Sequence, residues 1–109
     1  MIGIVIVAHG GLAIEYKAAM EHVVGEQTGI AAVTIRPDCD RIKKQGEICA
    51  AADRVDEGSG VVIVTDMFGG SPSNLSLLAC NCANRRVLYG ANLPLLVKLA
   101  KSRRNSVEE

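Results

Sequence analysis

The chain has 109 residues, 49% of them apolar, and its 12 Lys and Arg balance 12 Asp and Glu. That length fits one domain able to bury roughly two-thirds of the surface its unfolded form exposes, and the neutral balance excludes a basic field for nucleic acid. No apolar run approaches the roughly 20 residues of a membrane span and no basic region precedes the first one, so a cytoplasmic protein without membrane insertion is expected.

The first element is "IGIVIVA" (Ile2 to Ala8), a continuous Val/Ile run of the kind found in parallel strands covered on both faces. It stops on His9 and the pair Gly10-Gly11. Leu12, Tyr16, Ala19, Met20, Val23 and Val24 then recur at helical spacing, with Glu15, Lys17, Glu21 and Glu26 opposite. This predicts an amphipathic helix with His22 on its solvated side. After Gly29, "IAAVTI" (Ile30 to Ile35) predicts a second strand, and Arg36 follows it at a solvent-exposed rim. A second helix is predicted from an Asp40 N-cap, with Ile42, Cys49, Ala52 and Val55 inward and Gly58 as C-cap.

"GVVIVT" (Gly60 to Thr65) predicts the third strand, and Asp66 stands at its carboxyl end. The loop Met67-Phe68-Gly69-Gly70 leads into Ser71-Pro72, where serine caps a helix and proline takes its first position, with Leu75, Leu78, Ala79 and Cys82 as the apolar side. "RVLYG" (Arg86 to Gly90) predicts a fourth strand, and "LPLLVKLA" after Asn92 a fourth helix. The segment "KSRRN" is too brief to argue for nucleic acid.

Alternating strands and helices imply an α/β fold: a doubly wound, mostly parallel four-stranded sheet with helices on both faces. Right-handed crossovers restrict the order, and a chain that returns from strand 2 to the far side of strand 1 gives 2-1-3-4, with strands 1 and 3 adjacent and a crevice above their carboxyl ends. That order places His9 beside Asp66. A carboxylate on one imidazole nitrogen fixes the tautomer and leaves the other nitrogen as a nucleophile. Gly10, Gly11, Gly69 and Gly70 precede helix starts whose N–H groups favour an anion, and the Ser71 hydroxyl can add a donor. Together these residues point to phosphoryl transfer through a phosphohistidine. Met67 and Phe68 are equally readable as core or as a partner-docking patch beside the nucleophile.

No nucleotide-binding loop is present, so no cofactor is expected. Cys39, Cys49, Cys80 and Cys82 lack the spacing of a metal site and read as small apolar residues, so no metal is expected. Without Asp66 and the GGSP turn opposite, His9 would read as a hydrogen-bonded structural residue, and the lesser reading of Asp66 is a cap on the turn into the third helix.

"VAHGGLA" followed by "TDMFGGSPSN" resembles the IIA component of the mannose-type sugar phosphotransferase system, and the likeness runs through "GANLPLLVKLA". The resemblance implies a phosphotransferase in which His9 accepts a phosphoryl group from the phosphocarrier protein HPr and passes it to a IIB protein or domain. It further implies that Asp66 bonds the histidine, that Ser71 and its glycines line the phosphate site, and that the protein is a homodimer. The family carries one further C-terminal helix, whereas this chain ends at "NSVEE". The expectation is a single domain over residues 1–109 without that helix. Two alternatives stand beside the carrier: a regulatory binding module switched by phosphorylation, and the phosphocarrier subunit of dihydroxyacetone kinase.

Overall fold

Strand β1 (Gly3–His9) is buried from Gly3 to Ala8, and the rest of the fold is assembled around it. The computed structural model describes residues 2–36, 41–66, 85–88, 92–101 and 103. The expected helix from Ser71, the Met67 to Ser71 loop, Asp40 and three cysteines, Cys39, Cys80 and Cys82, lie outside them. The described elements continue with α1 (Leu12–Val24), β2 (Ile30–Ile35), α2 (Arg41–Val55), β3 (Val61–Thr65), β4 (Arg85–Leu88) and α3 (Leu93–Lys101). The four strands form one parallel sheet in the order β2-β1-β3-β4, as expected.

Period-2 alternation sends the two halves of β1 to two separate cores. Ile4, Ile6 and Ala8 meet Ala13 and Met20 of α1, Val62 and Val64 of β3 and Leu96 of α3. Val5 and Val7 meet Ile48, Ala51, Ala52 and Val55 of α2, with Val33 and Ile35 from β2 and Ile63 from β3. Helices therefore cover both faces, and the central strands read as unbroken apolar runs because neither face meets water.

The helix faces differ in part from expectation. Leu12 and Val23 of α1 stand 44% and 55% exposed and Ala13 is buried in their place, while Met20 is buried and Tyr16 and Val24 pack half-buried on the same core, as expected. Ile42 is 83% exposed rather than inward, because the core contacts of α2 begin at Ile48, well beyond its first turn. That helix ends at Val55, three residues before the expected C-cap. Gly58 instead donates its N–H to the Asp56 carboxylate at 2.8 Å, closing the turn that feeds β3.

At the amino ends of the strands, Arg103 is 2% exposed. Its main-chain oxygen accepts from Ile2 N–H at 2.8 Å, and its Nε donates to Ile2 O, also at 2.8 Å. Its terminal nitrogens donate to Gly29 O at 3.1 Å and Gln27 Oε1 at 3.3 Å. Burial pushes the guanidinium below its ordinary pKa and the Glu57 carboxylate opposes that shift. Arg103, two residues past α3, is thereby tied to the starts of β1 and β2.

Candidate functional site

The register sets the site. His9 closes β1 opposite Ile35 of β2, while Val7 lies opposite Thr65, the last residue of β3. Asp66 follows directly, at a bend, so its carboxyl group is delivered to the end of the neighbouring strand. Residues 57 apart in sequence meet there: His9 N–H donates to Asp66 Oδ2 at 3.2 Å, and His9 Nδ1 lies 2.9 Å from the same oxygen. An ionised carboxylate only accepts, so for a neutral ring this contact selects the tautomer with the hydrogen on Nδ1 and the lone pair on Nε2. The Asp66 side chain is 9% exposed and the imidazole 46%, which leaves a held carboxylate on one side and an open ring on the other.

Gly10 turns the chain from strand into helix with φ +55, a left-handed conformation costly for any residue with a Cβ. Its N–H donates to Ile35 O at 3.0 Å, so it is committed to the sheet rather than left for an anion as its position suggested. Gly11 is the N-cap of α1 at φ −85, and no side chain among the described residues caps that helix. The first-turn N–H groups of α1 therefore remain for a ligand or water at the His9 end of the sheet. Gly69, Gly70, Ser71, Met67 and Phe68 lie outside the described residues. Arg36 is exposed one residue past β2, on the same edge, and His22 is exposed as expected.

Two features escaped sequence reasoning. Ile14, in the first turn of α1, is 56% exposed and with Leu12 puts apolar surface close to His9; its signal was an isoleucine out of phase with the helix's apolar spacing. The other is a pair of buried polar atoms, Thr65 Oγ1 and Asp66 Oδ1, that have no hydrogen-bond partner among the described residues. Among those residues no group of three or more His, Cys, Asp or Glu could hold a metal. Cys49 is a free thiol, half-buried against the α2 core.

A family model described as "PTS system fructose IIA component" matches residues 3–109. The chain belongs to that family. Among curated relatives of this IIA chain, the mannose-specific PTS EIIAB component of Escherichia coli K12 is 29% identical over 103 residues, 94% of this chain and 32% of the relative. The chain thus spans about a third of the length of the curated relatives it matches. Its fold is that of solved IIA proteins. The PTS IIA protein associated with the fucose utilization operon of Streptococcus pneumoniae superposes with a TM-score of 0.86 at 30% identity, over 93% of this chain and 77% of that one. The PTS component EIIA of Streptococcus agalactiae does so with a TM-score of 0.80 at 26% identity, over 99% and 85%. No helix among the described residues is long and apolar enough to cross a membrane.

Proposed function

We propose that this IIA chain is a phosphoryl carrier of the sugar phosphotransferase system, taking the group from phosphorylated HPr onto His9 Nε2 and passing it to a IIB protein or domain. The observation that carries the reading is the 2.9 Å contact of His9 Nδ1 with Asp66 Oδ2, which holds the proton on Nδ1 and leaves Nε2 nucleophilic. Membership of the family and the exposure of the ring support it.

The chemistry follows from that tautomer. The Nε2 lone pair attacks the phosphorus, and the phosphorus–donor bond breaks with its electron pair leaving on the donor. The ring becomes cationic, and the adjacent carboxylate offsets that charge. Onward transfer reverses the step: the acceptor attacks phosphorus and the Nε2–P electron pair returns to the ring. Nδ1 keeps its proton throughout, so Asp66 orients and balances charge without acting as a base. Phosphoryl transfer of this kind depends on positioning and on stabilising the equatorial oxygens. The uncapped first turn of α1 supplies donors for them on one side, and Gly11, Gly69, Gly70 and Ser71 are assigned to the same task. Leu12 and Ile14, with Met67 and Phe68, supply the apolar surface on which partners dock.

The test is transfer from radiolabelled phospho-HPr. The wild type should take up acid-labile, base-stable label and lose it to a IIB added afterwards. Label retained by His9→Ala would overturn the assignment.

A further inference from the structure

Strand β3 is buried at all five of its positions, and four of them are Val or Ile. The fifth is Thr65, wholly buried, with a hydroxyl that has no partner among the described residues. Valine has nearly the same shape and would leave no polar atom unpaired there, so on packing grounds threonine is the poorer choice. A cost of folding retained at one position calls for a local reason.

The reason lies one residue on. Asp66 Oδ2 accepts from both the ring and the main chain of His9, whereas the other carboxylate oxygen, Oδ1, is buried and without a partner among the described residues. The carboxylate is fixed from one end only. The two orphan atoms belong to consecutive residues, and the chain bends at the second. The register also places Thr65 beside Val7, two residues from His9 on β1 and therefore on the same face of that strand.

We infer that Thr65 is a positioning residue of this site: its buried hydroxyl takes Asp66 Oδ1 as acceptor in the phosphorylated state, fixing the carboxylate plane so that Oδ2 stays on Nδ1. The inference rests on His9 as the phosphoryl acceptor. Charge on the ring draws Oδ2 harder toward Nδ1, and a donor on Oδ1 keeps the carboxylate from rotating away. Nothing is transferred by Thr65 itself; no bond to it forms or breaks.

The experiment compares Thr65→Val, which puts a methyl in place of the hydroxyl, with Thr65→Ser, which keeps the hydroxyl. Each full chain is phosphorylated two ways, by phospho-HPr and by phosphoramidate, a small donor that needs no docking. The Nδ1 proton of phosphorylated His9 is then followed by NMR. Thr65→Val should melt no lower than the wild type, exchange that proton about tenfold faster and take label from phospho-HPr about tenfold more slowly; Thr65→Ser should match the wild type in both. Equal proton exchange in Thr65→Val and wild type would overturn the role of Thr65. A wild type labelled on His9 by phosphoramidate but never by phospho-HPr would instead count against the donor reading and leave the exchange comparison standing as the test of Thr65.

Discussion

One oxygen of Asp66 holds His9 twice, 2.9 Å from ring Nδ1 and 3.2 Å from the backbone nitrogen. The side chain's tautomer and the local main chain are set by the same group, so neither can shift without the other. Asp66→Asn keeps the size and removes the charge that offsets a cationic ring. It should fold, and it should slow labelling of His9 by about 10- to 100-fold. The imidazole 15N shifts should move from a single Nδ1–H form toward a tautomer mixture. Labelling at the wild-type rate would remove the orienting role.

Gly10 and Gly11 look interchangeable in the sequence and are not in the fold. A Cβ at either would meet nothing within 4 Å among the described residues, so the expected cost is that of the backbone. Gly10 sits at φ +55 and Gly11 at φ −85. Gly10→Ala should therefore cost about 1–2 kcal/mol, and Gly11→Ala no more than about 0.5 kcal/mol. Urea titration of the two variants separates them, and equal midpoints would refute the distinction.

The strands and their order were readable from residues because a strand buried on both sides has no polar alternation to blur it, as in β1 and β3, and because right-handed crossovers restrict the order to a few arrangements, of which a return across strand 1 gives 2-1-3-4. Adjacency of His9 and Asp66 followed from that order alone. The helices were harder. Leu12, Ile14 and Val23 are all exposed on α1, while Ala13, with little apolar surface of its own, is fully buried. Ile42 looked like a core residue because spacing does not reveal that core contacts of its helix start only at Ile48. Arg103 was invisible, since nothing local in "KSRRN" announces an acceptor 101 residues away at Ile2.

That arginine gives a stability prediction separate from the chemistry. Removing it leaves the carbonyls of Ile2 and Gly29 without their side-chain donor in a buried setting. Arg103→Met should cost about 2–4 kcal/mol. Arg103→Lys should recover little of it, because an ammonium cannot span acceptors arranged for a planar fork. The site is at the other end of β1, about 20 Å away, so the labelling rate per folded molecule should be unchanged in both variants. A lysine variant as stable as the wild type would contradict the fork.

The same corner carries a pH dependence. Glu21 accepts from Gln27 N–H at 2.9 Å and from Lys17 Nζ at 3.3 Å. The Gln27 amide is the main cause holding its carboxyl below the ordinary 4.5, Lys17 adds to it, and burial opposes both. A carboxylate with a lowered folded-state pKa contributes stability that is fully present above its unfolded value and disappears as pH falls through the folded one. Gln27 in turn accepts from Arg103, so protonating Glu21 loosens the turn that carries an acceptor for the buried guanidinium. Glu21→Gln should accordingly be less stable than the wild type at pH 7, by a small margin, and the two stabilities should converge once the pH drops below the folded-state value. Denaturant titrations at pH 7 and at successively lower pH in matched salt measure this. A gap that stays constant or widens toward acid would show that the carboxylate's charge is not what holds the turn.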